Sequence, residues 1–333
     1  MNLSGRRYLV TGGTGFIGSA LVRRLLNAGV KVRCFDNESR GSLSRVPQHD
    51  SNFEFVEGDV RDQEAINGAV LGVDGVIHLA YVNGTDLFYT HPNLVLEVAV
   101  KGIVNVLDAC LTANVREFVL ASSSEVYQTP PALPTDELAP LAVPDPLNPR
   151  YSYGGGKIIS ELLAINYGRM DFDRVLIFRP HNVYGPDMGR DHVIPELTLK
   201  LIEAARKTPT GVVDLPIQGT GEETRAFVYI DDLIDGVMRV LEKGQHLNIY
   251  NIGTEDQISV AALAEAIAAQ IGRQVRLLPG PRPPGGTLHR CPDIRKLRRL
   301  GYAPRVSIQD GLEQTVRWYV RNEVEGVRFD EGQ

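Results

Sequence analysis

Over residues 1–178, short apolar runs alternate with amphipathic stretches. Tyr8-Leu9-Val10 reads as a first strand. Phe16 to Ala28 follows as a helix, with Ile17, Leu21, Leu25 and Leu26 on one face. Val30 to Phe35 and Phe53 to Val56 are the next strands, Gln63 to Leu71 a short helix, and Gly75 to Ala80 a fourth strand. Asn93 to Asn114 predicts one long helix, Glu117 to Ala121 a fifth strand, Tyr153 to Gly168 a helix and Arg174 to Phe178 a sixth strand. Strands alternating with helices at this spacing predict an α/β protein with a doubly wound parallel sheet. After Arg179-Pro180 the rhythm weakens. A helix at Ile194 to Lys207 and a short strand at Leu215 to Ile217 interrupt a stretch rich in Pro and Gly. Phe227 to Ile230 opens another strand–helix unit, Asn248 to Ile252 is a last core strand, and Val260 to Ile271 an apolar-faced helix. Pro279 to Gly286 reads as a mobile loop. The pattern divides the chain into a sheet domain over 1–178, with returns near 226–253, and a smaller domain from 179–225 and 254–330.

Composition narrows the class. The chain has 333 residues, 43% hydrophobic and 23% charged, which excludes disorder as its main state. No apolar run reaches the roughly eighteen residues of a membrane span. The start, Met1 to Arg7, lacks the apolar core and cleavage site of a signal peptide, so a cytoplasmic protein is expected. Net charge is −6, with no basic block, which argues against nucleic acid as a partner. Cys34, Cys110 and Cys291 are far apart and odd in number, and the histidines form no HExxH or HxH pair. Neither a disulfide framework nor a metal site is expected.

The loop Thr11-Gly12-Gly13-Thr14-Gly15-Phe16-Ile17-Gly18 joins the first strand to the first helix. Gly12 permits the tight turn, Gly15 lets backbone N–H groups approach a pyrophosphate, and Gly18 lets the helix pack on the strand. The helix N-terminus favours the anion. Asp36 ends the second strand, where a carboxylate bonds the adenine ribose and repels a 2′-phosphate. That predicts NAD rather than NADP. Asp59-Val60, after the third strand, is placed to meet the adenine; the competing reading is that Asp59 or Asp62 caps a helix.

Tyr153 and Lys157 stand four apart, on one helical face. A tyrosine with its ordinary pKa near 10 is a poor base, but a nearby ammonium and a positive nicotinamide ring both favour the phenolate. Tyr153 is then fit to take a proton from a substrate hydroxyl, with Ser123 sharing that hydroxyl at the end of the fifth strand. Gly154, Gly155 and Gly156 between them each cost about 1 kcal/mol in a helix, which predicts close approach of cofactor or partner helix. The alternative is a loop before a later helix start.

Together TGGTGFIG at 11–18, Asp36, Gly58-Asp59-Val60, His78-Leu79-Ala80, SSSEVY at 122–127, YGGGK at 153–157, RPHNVYGP at 179–186 and RAFVYIDD at 225–232 resemble the extended short-chain dehydrogenase/reductases of the nucleotide-sugar epimerase/dehydratase family. The resemblance runs over about residues 6–320. It implies a Rossmann domain holding NAD and a smaller C-terminal domain gripping a nucleoside diphosphate sugar. It also implies Ser123, Tyr153 and Lys157 as the catalytic set. Gly12, Gly15, Phe16, Ile17, Gly18, Asp36, Asn37, Asp59, Val60, Leu79, Ala80, Ala121 and Pro180 join Tyr153 and Lys157 against the cofactor. Asn182, Arg225 and Arg290 match diphosphate-holding positions, as forked arginine–phosphate bonds would suit, and Tyr81 and Val193 join the substrate set. A homodimer through the helices at 93–114 and 153–168 is implied.

The shared first step in such enzymes is oxidation of the sugar, usually at C4. Ser124-Glu125 resembles the acidic pair of 4,6-dehydratases and the matching positions of glucuronate decarboxylases, although Ser124 is a weaker acid than the dehydratases' aspartate. Glu125 could move a carbon-bound proton or simply cap a turn. His181 could be a second acid–base group or a packing residue. Where relatives often have two alanines after His-Leu, this chain has Ala80-Tyr81, and the segment 82–92 partly resembles the decarboxylases' aromatic segment. The expectation is an NAD-dependent nucleotide-sugar epimerase, then a 4,6-dehydratase, then a decarboxylase. A reductase that exchanges its cofactor each turnover and a non-catalytic NAD-sensing protein stand as rivals.

Overall fold

The computed structural model describes residues 1–282 and 285–324. Pro283 and Pro284 of the expected loop, and residues 325–330 of the expected second domain, lie outside the described residues. In chain order the strands are β1 (Arg7–Thr11), β2 (Lys31–Asp36), β3 (Phe53–Glu57), β4 (Gly75–His78), β5 (Glu117–Ala121), β6 (Arg174–Pro180), β7 (Val183–Tyr184), β8 (Val212–Ile217), β9 (Thr224–Ala226), β10 (Val228–Tyr229), β11 (Asn248–Ile252), β12 (Gln257–Ser259), β13 (Gln274–Pro279) and β14 (His289–Arg290). The helices are α1 (Phe16–Asn27), α2 (Gln63–Ala69), α3 (Thr85–Thr90), α4 (Pro92–Glu97), α5 (Ile103–Thr112), α6 (Tyr151–Asp171), α7 (Val193–Lys207), α8 (Ile230–Lys243), α9 (Val260–Gln270), α10 (Arg295–Arg298) and α11 (Ile308–Val324).

Seven strands form one parallel sheet in the order β11-β6-β5-β4-β1-β2-β3. Its central strands β1, β4, β5 and β6 are near-continuous apolar runs because helices cover both faces. On one face α1 and α8 pack Leu21, Leu25, Val237 and Leu241 against Val10, Ile77 and Phe178. On the other, α2, α5 and α6 supply Ile66, Ile103, Leu107 and Ala164 to a second core around Leu9, Phe118 and Ile177. The strand order reverses between β1 and β4, so the loops leaving their carboxyl ends part there and leave a crevice for a ligand. The chain after β6 adds small sheets: β8 with β13, β12-β9-β14, and β7 with β10.

One element prediction is corrected: the helix expected over 93–114 is α4 and α5 separated by a π-type turn at Val98–Gly102. The helix expected from Tyr153 to Gly168 is α6, and residues 154–156 are helical within it rather than the alternative loop.

Candidate active site

A cavity of about 510 Å³ opens along the carboxyl ends of the strands, from the β1–α1 loop to Arg290. That is the size of a ligand or cofactor site. Every residue expected against the cofactor lies on its wall: Gly12, Gly15, Phe16, Ile17, Gly18, Asp36, Asn37, Asp59, Val60, Leu79, Ala80, Ala121, Tyr153, Lys157 and Pro180.

The β1–α1 loop has no room for a side chain at Gly12 or Gly18. Gly12 has φ +71°, and a Cβ there would lie 2.7 Å from the Ala80 nitrogen. A Cβ on Gly18 would lie 2.0 Å from the Gly12 carbonyl. Gly15 opens α1 in extended conformation without a side-chain cap, so the first-turn N–H groups remain for an anion. The Asp36 carboxylate accepts from the Thr14 N–H at 3.0 Å and the Glu38 N–H at 2.9 Å. Asp59 accepts from Asn37 at 3.1 Å and from Arg61, whose hydrogen bond lowers its pKa. The helix cap on α2 is Asp62. A glycine cradle, an open helix N-terminus and a carboxylate at the end of β2 together fit a dinucleotide.

At the reacting end, one turn of α6 separates Tyr153 from Lys157, and β5 delivers Ser123. Ser123 accepts from the Glu125 N–H at 3.1 Å, and its hydroxyl acts to lower the Tyr153 pKa. The Tyr153 ring stacks on Phe88 at 4.8 Å and meets Tyr81 in a T-shaped pair at 5.1 Å. Burial pushes the phenol up to about 12, against the pull of the Ser123 hydroxyl. Tyr153 is therefore a neutral phenol in this structure. The lysine charge expected to favour its phenolate is directed elsewhere: Lys157 Nζ donates to the Ala121 carbonyl at 2.7 Å and lies 3.8 Å from the centre of the Tyr81 ring. Burial lowers Lys157 to about 7, opposed by the Glu161 charge.

The α6 glycines are approached from within the chain. A Cβ on Gly154 would lie 3.0 Å from the Glu125 carbonyl, and one on Gly156 would lie 2.3 Å from the Tyr81 hydroxyl and 2.7 Å from the Ala99 Cβ. Gly155 meets nothing closer than Val143 at 3.4 Å.

Ser124, Glu125, Tyr81, Asn182, Val193 and Arg290 also line the cavity. Asn182, at φ +41°, donates to the Ala226 carbonyl at 3.0 Å. Arg290 donates to the Glu125 carboxylate at 2.6 Å and to Thr287 Oγ1 at 3.2 Å. Burial favours the neutral Glu125, but the charge and hydrogen bond of Arg290, with Arg150 and Arg225, hold it down to about 2. Glu125 is thus more than a turn cap: its side chain pairs into the cavity and is 25% exposed.

Two of the expected site residues, His181 and Arg225, lie off the cavity wall. His181 is fully buried. Its Nε2 meets Asn251 Oδ1 at 3.1 Å, and burial lowers its pKa to about 3. Behind it lies a buried network in which Arg179 makes two bonds to Glu161, at 2.8 and 2.6 Å, and one to the Tyr127 hydroxyl at 2.6 Å. Arg225 is also off the wall. Its guanidinium donates to the Thr224, Leu288 and Thr287 carbonyls, tying down the segment that carries Arg290.

Sequence reasoning missed Phe88 and Arg150. Phe88 sits on α3, in the aromatic segment that was noted without a role. Arg150 lines the cavity three residues before Tyr153, with a buried Nε that has no hydrogen-bond partner.

The family model for the NAD dependent epimerase/dehydratase family matches residues 8–253. UDP-glucuronic acid decarboxylase 2 of Arabidopsis thaliana is 33% identical over 318 residues, 94% of this chain and 68% of that protein. The fold superposes on the dTDP-glucose 4,6-dehydratase DesIV of Streptomyces venezuelae, solved with NAD bound, with a TM-score of 0.84 at 32% identity over 96% of this chain and 98% of that one. It also matches the UDP-glucose 4-epimerase of Thermus thermophilus in complex with NAD, with a TM-score of 0.81 at 26% identity, covering 94% and 99% of the two chains.

Proposed function

The chain belongs to the NAD-dependent epimerase/dehydratase family, and from that premise we propose that it is a nucleotide-glucuronate decarboxylase. It oxidises the sugar of a nucleoside diphosphate uronate and releases the sugar's carboxylate as carbon dioxide. The observation that carries this reading is the Arg290 guanidinium, set on the cavity wall with Tyr153 and already bonded to one carboxylate, that of Glu125, at 2.6 Å. Charge-assisted arginine–carboxylate pairs are strong and directional, so a second carboxylate, on the sugar, has a partner there. The likeness to the Arabidopsis protein named as a UDP-glucuronic acid decarboxylase supports the same choice.

Residues 1–178, with the returns near 226–253, hold NAD; 179–225 and 254–330 hold the nucleotide sugar. Bound NAD would supply the hydride acceptor, and later the donor, for the sugar carbon, and its positive ring would favour the Tyr153 phenolate. Ser123 and Tyr153 hold the sugar hydroxyl, and Tyr153 accepts its proton as the carbonyl forms. The C6 carboxylate is then β to the C4 ketone. The C5–C6 bond breaks, its electron pair moves into the carbonyl, and Tyr153 and Ser123 donate to the developing oxygen charge. Arg290 orients the carboxylate. A substrate carboxylate sharing Arg290 also weakens its hold on Glu125, whose burial favours protonation; Glu125 then takes up a proton from solvent and passes it to C5.

This order differs from the epimerase expected from sequence. Moving a carbon-bound proton first requires a base, and neither expected base suits: His181 is off the wall and Glu125 is held to about 2. Elimination of water lacks the stronger acid that Ser124 replaces.

The protein works as a homodimer through the face where Leu96, Ile159 and Leu162 are 39, 40 and 55% exposed; light scattering at twice 36.6 kDa checks this, and a monomer mass contradicts it. Calorimetry tests the reading itself. UDP-glucuronate binds at least tenfold tighter than UDP-glucose, and Arg290→Lys, which keeps the charge but not the fork, erases that preference. Equal affinity of the unaltered protein for both overturns the reading.

A further inference from the structure

We propose that Tyr81 is a positioning residue for the Tyr153–Lys157 pair: one aromatic ring carries the Lys157 ammonium on its face while packing against Tyr153, and α6 is hollowed at Gly156 to admit it. Four contacts converge on this side chain. The Lys157 Nζ stands 3.8 Å from the ring centre. The Tyr153 ring lies 5.1 Å away at 78°. The Tyr81 hydroxyl donates to the Tyr153 carbonyl at 3.2 Å. The same hydroxyl fills the space that a Cβ on Gly156 would occupy, 2.3 Å from it. Tyr81 thus touches the residue before Lys157, the lysine itself, and both the backbone and the ring of Tyr153.

The physical consequence lies in the ammonium. It has three protons. The Ala121 carbonyl takes one, the Tyr81 π face attracts another, and the third is left for the cavity that Lys157 lines. A cation over an aromatic face is stabilised as the cation. Lys157 needs that help, because burial acts against its charge. The other groups facing it are few. Glu161 lies one turn further along α6 and favours the ammonium, but Arg179 and Ser122 already claim its carboxylate. His78, on β4, is buried and neutral, its pKa lowered first by burial and then by the Lys157 charge. Tyr153 is a neutral phenol. Tyr81 is therefore the aromatic support that keeps a buried lysine charged and pointed.

The inference rests on the reading that Tyr153 and Lys157 handle the substrate hydroxyl, but its test does not use turnover. The full-length protein is labelled with ε-¹³C-lysine, and the Lys157 signal is assigned by its loss in Lys157→Arg. In the unaltered protein and in Tyr81→Phe, which keeps the π face, the Lys157 ε-CH₂ protons are shifted upfield by the ring current and share one titration midpoint. In Tyr81→Leu, which keeps the site dry without a π face, the upfield shift vanishes. The midpoint then falls by roughly half a pH unit to one and a half. Gly156→Ala pushes the ring off the ammonium without altering Tyr81 and produces the same loss of shift, so the proposal stays testable should Tyr81→Leu not fold. An unchanged shift and midpoint in Tyr81→Leu, or in Gly156→Ala, overturns it. A protein inactive on every uronate but showing these shifts would defeat the proposed reaction and leave Tyr81's role standing.

Discussion

Glu125 and Arg290 are 165 positions apart in the chain and 2.6 Å apart in the fold. Their pairing decides the protonation of the site. The folded carboxyl lies below its ordinary value of about 4.3, so the pair stabilises the fold fully above that value and its contribution is lost as pH falls toward 2. Glu125 therefore enters catalysis ionised at neutral pH. Burial holds Tyr153 as a neutral phenol without the cofactor, so in the proposed reaction it accepts the hydroxyl proton only once the positive nicotinamide ring favours its phenolate. Tyr153→Phe should lower kcat by about 10²- to 10⁴-fold while the purified protein keeps its NAD, read from the ratio of absorbance at 260 and 280 nm. Loss of less than a factor of ten would place the proton transfer elsewhere. Residues of the site that lie close in sequence were legible, because spacing on one turn or one loop is local geometry. Partners across the chain were not. No local pattern joins Glu125 to Arg290, and none shows that Pro180 and Asn182 face the cavity while His181 between them faces away.

At the scale of elements, α6 departs furthest from what propensity alone favours. Replacing glycine by alanine inside a helix normally stabilises by about 1 kcal/mol. Gly68 in α2 has nothing within 4 Å of its would-be Cβ, so Gly68→Ala should stabilise by up to that amount. Gly156→Ala should do the opposite and destabilise by about 1–3 kcal/mol, since its Cβ collides with Tyr81 and Ala99. Urea unfolding of the two variants checks the contrast; stabilisation by both would mean that α6 is not closely packed at Gly156. The strands of the large sheet were legible because β1, β4, β5 and β6 are buried apolar runs and β2 and β3 alternate apolar with polar positions, all bounded by turns. The strands after β6 were mostly not. β7 and β14 have two residues each, too few for any period, and β13 owes its strand to a parallel partner, β8, about 60 residues earlier. The π-type turn at Val98–Gly102 was hidden inside a continuous apolar pattern. Its Ala99 packs close to Gly156, and a Cβ on its Gly102 would lie 2.8 Å from Val60.

At the scale of the molecule, the cavity is bounded by chain on both sides of the site. Arg45 makes a forked pair with Asp187 at 2.6 Å, and Arg40 bonds Asp191 at 2.9 Å. These pairs tie the segment after β2 to the segment before α7 across the cavity, whose wall includes Arg40, Arg45, Met188 and His192. The arrangement suits the proposed reaction, in which bound NAD would be kept through a full cycle. The reaction as a whole then changes only the sugar, and the atom it loses is decisive. A nucleoside diphosphate glucuronate labelled with ¹³C at the carboxylate should be incubated with the purified protein, without added NAD, and the gas and the nucleotide read by mass spectrometry. The account predicts one ¹³CO₂ for each nucleotide pentose formed. Label retained in an isomer of unchanged mass, or turnover only of uncharged hexose nucleotides with loss of water, would contradict it.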